Sequence, residues 1–510
     1  MLRIGIDVGG TNTDAVLVDR EAVCGAVKTP TTRDVTTGIK TALKDLISQC
    51  GDQAREAASV TIGTTHFLNA VVERRRLNRV AALRICLPAS ASLPPFVDWP
   101  EDISGPVNAG SYMVEGGSEY DGRPITRLDE AGIAGIARKL RQDGVSSVGV
   151  SSVFSPLNPG YEERAREILQ NEYPDVRVTC SHSLGRIGLL ERENATLLNA
   201  ALLDLAAETT EAFENALTDT GIRGKLYISL NDGTVAEAAT ARQYPVYCFA
   251  SGATNSMRGA TFLTRLENAI VCDVGGTTTD IGCLVNGFPR EANSVVTIGG
   301  VRTLFRMPDI VSIGIGGGTR VQDAPLRVGP DSVGFRLLEK ALVFGGDELT
   351  LTDIAVAAGL MQAGDRNALS HVSEDLVDRV LHRVRTDIAT HVDRMKTSAE
   401  EVPLIAVGGG APLIPEVLDG ISRVHLVENA SVANAVGAAI AQVSGETDQV
   451  FQGLSREDAL ATAHRLAKEK ALAAGAIQGS LKVVEMEDIP IAYLPGHAIR
   501  ARVRVVGEIG

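Results

Sequence analysis

Apolar residues in this chain gather in short runs punctuated by glycine, and two pairs of these runs frame near-identical turns. Leu2 to Ile6 and Ala15 to Val18 flank the first turn; Ala269 to Cys272 and Ile281 to Val285 flank the second. Runs this short, bounded by turn residues, read as strand, turn, strand. After the first hairpin the period lengthens: Ile39, Leu43, Leu46 and Ile47 fall on one face of a helix over residues 37–50. Residues 60–63 read as a strand running into Thr64 to Asn69, residues 71–76 as a helix and residues 80–86 as a strand. Residues 88–124, rich in Pro, Gly and Ser around Trp99, read as a loop or small excursion. Helix to Gln142, strand 145–153, helix 161–172 and strand 176–180 then form the alternation expected of a parallel layer.

Further on, residues 195–216 read as one long helix carrying the chain from a first half to a second, and Phe249 to Ala253 as a strand and turn. Residues 429–443 read as an Ala/Gly-rich helix able to pack closely on a sheet. Ser455 and Asp458 open a helix that runs to about Ala474, where Gly475 can stop it. Residues 481–506 read as strands, with Arg500, Arg502 and Arg504 alternating against Ala501, Val503 and Val505 and expected on a solvated face.

The two turns share the octapeptide Asp-Val-Gly-Gly-Thr-x-Thr-Asp, from Asp7 to Asp14 and from Asp273 to Asp280. Glycines without a Cβ let backbone N–H groups approach a ligand, so Gly9, Gly10, Thr11, Asn12 and Thr13, and Gly275, Gly276, Thr277, Thr278 and Thr279, are candidates to cradle phosphate oxygens. Asp7 and Asp273 end the first strand of each hairpin, where carboxylates can hold a hydrated Mg²⁺. Asp14 and Asp280 are expected to brace the turns by hydrogen bonds. One such turn would be an ordinary hairpin; two copies that both keep their acids point to a nucleotide site. Neither a Gly-x-x-x-x-Gly-Lys-Ser/Thr loop nor a Gly-x-Gly-x-x-Gly turn after the first strand is present, against a P-loop or dinucleotide-binding domain. Gly316 and Gly317, and Gly408, Gly409 and Gly410, follow apolar strands; each cluster fits a tight turn as well as a backbone laid flat against a nucleotide.

Composition narrows the class. With 510 residues, 44% hydrophobic content and 52 glycines, the chain suits an α/β protein of several domains. A formal charge of −14 and an aromatic share of 4% argue against nucleic-acid and anionic-lipid surfaces. Seven scattered cysteines without a Cys-x-x-Cys pair are expected as reduced, structural thiols. No apolar run spans a bilayer and the chain opens directly on a strand, so the expected location is the cytoplasm.

The duplicated loops, the late triple glycine and the Ala/Gly helix resemble the actin/hexokinase/Hsp70 ATPase superfamily. More narrowly, Ile4 to Asp14, Gly63 to Ala70 with Glu73-Arg74, Glu193 to Ala200, Ser251-Gly-Ala, Asp273 to Asp280, Asp309 to Gly318 and Val407 to Ala411 resemble the ATP-binding A-type subunit of the hydantoinase/oxoprolinase family. Longer members usually carry a Pro-Gly-Pro-Ala-Cys-Tyr-like stretch where Val328 to Gly334 runs on without it. The resemblance implies an α/β fold with duplicated actin-like, ribonuclease H-like ATPase domains around a nucleotide cleft, plus a small α+β C-terminal region. The expected boundaries are 1–192, 193–444 and 445–510. It also implies ATP and Mg²⁺, a cyclic amide substrate such as a hydantoin, oxoproline or lactam, a second hydantoinase-type subunit, and an oligomer. His66, Asn69, Arg192 and Glu193, polar residues beside expected strand or helix ends, are candidates for the acceptor site, although His66 also suits the core and Glu193 a helix N-terminus. A small-molecule kinase and a chaperone-like reactivating ATPase are the alternative readings.

Overall fold

The computed structural model describes the chain except Gly10, Glu21, residues 32–34, Arg186, Asn293, Ser294 and residues 493–497. Both predicted hairpins form, and in the same register. Strands Leu2–Val8 and Asn12–Asp19 pair Asp7 opposite Asp14, and strands Ala269–Val274 and Thr279–Val285 pair Asp273 opposite Asp280. Each hairpin then extends in the same way. The first strand of the first hairpin runs parallel to Ser59–Thr64, which runs parallel to Lys225–Ser229, while Ala22–Pro30 adds antiparallel on the other side. In the second, Ala269–Val274 runs parallel to Val402–Val407 and that to Ile421–Leu426, with Phe288–Pro289 and Ile310–Ile313 antiparallel beyond the hairpin. An antiparallel hairpin continued by parallel strands, present twice, is the duplicated actin-like arrangement.

The first sheet has nine strands and the second six. Strands Val235–Glu237, Val443–Phe451, Ile499–Gly507 and Lys482–Pro490 complete the first, so it draws on all three expected segments of the chain. A separate four-stranded sheet, Asn108–Glu115, Val80–Leu87, Ser147–Ser152 and Arg177–Cys180, is all parallel and carries helices Glu130–Gln142 and Gly160–Glu172.

Five local readings need correction, the first being the helix expected over residues 71–76, which runs His66–Val72. Residues 88–124 contain a helix, Glu101–Val107, and the edge strand Asn108–Glu115; the Pro and Gly content masks both. The long helix is two, Leu189–Ala201 and Leu203–Thr220. Phe249 to Ala253 is no strand: a 3₁₀ turn, Pro245–Cys248, leads into helix Ser251–Thr264. The C-terminal arginines are not on a solvated face: Arg502 and Arg504 are buried, and the opposite face, with Ala501, Val503 and Val505, is buried against helix Arg456–Ala473. The cysteines are all free, with Cys272 in the core of the second half and Cys283 partly buried against it. No helix among the described residues is long and apolar enough to cross a membrane.

Candidate functional site

Two helices made of small residues bring the halves together. Ser251–Thr264 and Ala433–Ile440 cross so closely that a Cβ on Gly259 would lie 1.8 Å from the Ala433 oxygen, and one on Gly437 1.8 Å from the Asn255 oxygen. The second helix also presses on the first sheet, where a Cβ on Gly5 would meet the Ala435 oxygen at 1.9 Å. This junction delivers three side chains to the hairpin acids. Asn434 Nδ2 donates to Asp7 Oδ2 at 2.7 Å, the Ser256 hydroxyl donates to Asp273, and Asn255 lies beside Asp7 at the Gly63 backbone. Asn255 is fully buried (0% exposed), yet neither end of its amide has a protein partner among the described residues. A buried amide without partners is costly unless a ligand or ordered water satisfies it.

The loops face one another across this junction: a Cβ on Gly276 would come within 2.8 Å of the Thr11 hydroxyl. Each turn is closed in the same manner, Gly9 N–H to the Asn12 oxygen at 3.0 Å and Gly275 N–H to the Thr278 oxygen at 2.9 Å. Among the described residues, the amides of Gly276, Thr277 and Thr278 have no backbone partner, and Thr277 and Thr278 are exposed. Thr13 and Thr279, by contrast, are buried, and Thr279 donates its hydroxyl to the Ile315 oxygen at 2.6 Å, so strand alternation turns both away from the cleft. Gly10 lies outside the described residues. Gly316 and Gly317 support the second loop from behind: Gly317 N–H donates to the Gly275 oxygen at 2.9 Å, and Gly316 is packed on the Thr277 backbone. Gly408, at φ +86°, sits where a Cβ would strike Asp273 Oδ1 at 2.4 Å, and Gly410 N–H donates to the Val274 oxygen at 2.8 Å. Gly409 between them is exposed, with open space around it.

Crowded carboxylates set the electrostatics. Burial, reinforced by Asp14 and Asp273, pushes the Asp7 carboxyl up to about 8. Burial also raises Asp273, and pushes Asp280 up to about 6 despite a hydrogen bond from Ser312. Asp14 is raised by burial as well, against the pull of Lys28, whose ammonium contacts it at 2.6 Å. Asp14 and Asp280 thus tie the second strand of each hairpin to the next strand, where Lys28 and Ser312 lie opposite them, and among the described residues their side chains do not bond to the turns. Asp7 and Asp273 accept from the neutral groups of Asn434 and Ser256, and burial disfavours their charged forms, which a cation bound between them would favour.

The four acceptor candidates divide. His66 and Asn69 lie at the start of helix His66–Val72, which follows Gly63 and Thr64 out of the first sheet. His66 is half-buried, its Nε2 is 3.3 Å from Arg76, and its pKa is lowered by burial and by that arginine; Asn69 donates to the Thr65 hydroxyl at 3.3 Å. Arg192 and Glu193, at 0% and 2% exposure, are engaged within the protein. Glu193 takes a bidentate ion pair from buried Arg84 and a 2.6 Å hydrogen bond from Ser151. Arg192 donates to the Ser181 hydroxyl at 2.9 Å and to the oxygens of Ser152 and Ile187 at 2.6 and 2.7 Å. Their neighbour Asn194 accepts from Trp99 at 2.7 Å, so this helix start fastens the 88–124 excursion to the body. Beyond it, Glu162, Cys180 and His182 have ligand-type atoms within 4.8 Å of one another, but the group closes on itself. Glu162 holds His182 Nδ1 at 2.8 Å and burial keeps the Cys180 thiol strongly protonated. A metal would have to break those bonds.

Asn255, Ser256 and Asn434 were missed by sequence reasoning. Asn434 is a lone polar residue in an Ala/Gly run, and Asn255 and Ser256 are adjacent in a helix of small residues; the one signal was that Ser251-Gly-Ala and the Ala/Gly helix belong to the family resemblance.

Two family descriptions match the chain: the hydantoinase/oxoprolinase N-terminal region over residues 3–173 and hydantoinase/oxoprolinase over residues 192–365. Caprolactamase subunit alpha of Pseudomonas jessenii is 27% identical over 71% of this chain and 55% of its own length, so the chain spans about half of that relative. The acetone carboxylase beta subunit of Xanthobacter autotrophicus is 23% identical over 83% of this chain and 61% of that one. The crystal structure of the ATP-dependent caprolactamase from Pseudomonas jessenii superposes with a TM-score of 0.75 at 20% identity, covering 100% of this chain and 88% of that chain; it has the same fold.

Proposed function

Because the chain belongs to the hydantoinase/oxoprolinase family, we propose that it uses ATP to activate a cyclic amide for ring opening, as one subunit of a larger enzyme. The observation that carries this reading is the convergence of two acid-bearing Gly-Gly-Thr hairpins on one buried junction that contains an unpartnered amide, Asn255. The amides of Gly276 to Thr278, and the matching first loop, would cradle the phosphates, with Gly409 against the nucleoside. Asp7 and Asp273 would hold Mg²⁺ through water, and the cation's charge would offset carboxylate–phosphate repulsion. The chemistry needs such a site because resonance makes an unstrained amide a poor electrophile. Moving the γ-phosphoryl group from ATP to the amide oxygen removes that protection and releases ADP. Water then adds to the carbon and the C–N bond breaks, leaving a free amine and an acyl phosphate; a second water attacks the same carbon, and phosphate departs with the former amide oxygen. Catalysis on this chain is positioning and electrostatics, supplied by the two loops.

The subunit names of the relatives, alpha in caprolactamase and beta in acetone carboxylase, support a partner, and a partner can supply the groups that direct the water. The test is an ATPase screen of the chain with hydantoin, 5-oxoproline, caprolactam and glucose, with and without the product of the neighbouring gene. Turnover stimulated by a cyclic amide is expected; stimulation by glucose alone would replace this reading with a sugar kinase.

A further inference from the structure

A cavity of about 590 Å³ opens at the same edge of the first sheet as Asp7. Strands Leu2–Val8, Ser59–Thr64 and Lys225–Ser229 are adjacent and parallel, so Asp7, Thr64 and the segment Leu230–Asp232 all lie at their carboxyl ends. That edge is where α/β sheets bind ligands. Two strand spacings, about 10 Å, separate the Asp7 strand from the cavity wall. The connection is rigid: Ala250 N–H donates to Asn231 Oδ1 at 2.8 Å, and Ser251, the next residue, exchanges hydrogen bonds with Thr64 at 3.0 and 3.1 Å.

The lining has two characters. Leu157, Ile187, Leu304 and Phe305 make an apolar wall. Asp232, Arg306, Glu446, Asp448 and Arg500 make a charged one. On that wall each guanidinium contacts a carboxylate, although the Arg306 Nη atoms make no hydrogen bond among the described residues. Arg500 forms a two-pronged pair with Asp448, and Arg306 contacts Glu446 and, at 3.3 Å, Glu291. Burial raises Glu446, but with Glu446 protonated Arg306 still keeps Glu291. Among the described residues the lining sets three carboxyl groups, Asp232, Glu446 and Asp448, against two guanidiniums, Arg306 and Arg500, with His182 held by Glu162 and Glu163, beside an apolar wall. Bringing an anion there would be costly.

Resting on the function proposed above, we infer that this cavity is the acceptor pocket and that it takes an uncharged cyclic amide, rejecting rings that carry a carboxylate. A lactam or hydantoin has a hydrocarbon edge for Leu304 and Phe305, and an N–H and C=O side by side for the polar wall. The volume lies in the usual range for small-molecule sites.

The test compares the wild-type chain, assayed with its partner, against Leu304→Trp, which narrows the cavity at its apolar wall, and Leu304→Phe, a milder change should the first misfold. Caprolactam, hydantoin and 5-oxoproline are the probes. The readouts are ring-dependent ATP turnover, binding of caprolactam by saturation-transfer NMR, and affinity for a fluorescent ATP analogue. We expect stimulation by the two neutral rings and none by 5-oxoproline. In the variants, KM for caprolactam should rise at least about tenfold, and its NMR signal should fall, with nucleotide affinity unchanged. Stimulation by 5-oxoproline equal to that by caprolactam, or an unchanged KM in Leu304→Trp, would overturn the pocket while leaving the ATP-dependent amidase standing. Failure of every ring with the wild type, while the analogue binds, would remove both.

Discussion

Asp7 is the residue on which site and stability pull in opposite directions. Its carboxyl is raised from 3.8 to about 8 in the folded chain, so between those values the unfolded state has released a proton that the folded state keeps. Stability contributed by this group is therefore present at acid pH and is lost as pH rises from about 4 to about 8. Asp7→Asn keeps the shape and removes the charge. The nucleotide-free variant should melt a few degrees higher than wild type at pH 8 and at the wild-type temperature near pH 4, while Mg·ATP turnover falls at least about 100-fold. Thermal melts at the two pH values and a steady-state ATPase assay check both halves. Asn255 is the complementary case. Removing an amide that has no protein partner should leave the nucleotide-free protein almost as stable, so Asn255→Ala is expected to lose turnover with a stability change under about 1 kcal/mol in urea unfolding. A large loss of stability with turnover intact would show Asn255 to be a packing residue.

At the scale of elements, the hairpins were legible because each carries its strand period and its turn chemistry in one short stretch, residues 2–19 and 269–285. The register that sets Asp7 opposite Asp14 follows from the turn alone. Helix Ser251–Thr264 was not legible: Phe249-Ala-Ser-Gly-Ala resembles a strand end locally. The reason for its small residues lies about 180 residues away, in Ala433–Ile440, where a Cβ on Gly259 would strike the Ala433 oxygen. The C-terminal arginines failed for the same reason, because alternation with apolar residues shows which side a residue faces but not what covers it. Their carboxylate partners, Asp232, Glu291, Glu446 and Glu485, come from four separate parts of the chain. The helix crossing predicts that Gly259→Ala forces the two helices apart. A destabilisation of about 1–3 kcal/mol and loss of nucleotide turnover are expected, measured by urea unfolding and ATPase.

Across the whole molecule, the C-terminal strands hold the first sheet to the rest through a buried ionic group. Arg502 pairs with Glu291 and, at 2.9 Å, with Glu485; Arg504 reaches Asp232 at 3.1 Å. Removing one cation leaves buried carboxylates uncompensated, so Arg502→Met should cost about 3–5 kcal/mol in denaturant unfolding, more than a surface pair could. That scaffold holds a cavity at one end of the sheet edge and a pair of acid-bearing loops at the other, and the chemistry proposed for them is transfer of a phosphoryl group to an amide oxygen. The most direct test follows that oxygen. Caprolactam labelled with ¹⁸O at its carbonyl is turned over with Mg·ATP by the chain and its partner subunit, and the released phosphate is analysed by mass spectrometry. If the amide oxygen is phosphorylated, each ring opened transfers its label to inorganic phosphate. Label retained in the ring-opened amino acid, with unlabelled phosphate, would contradict the mechanism.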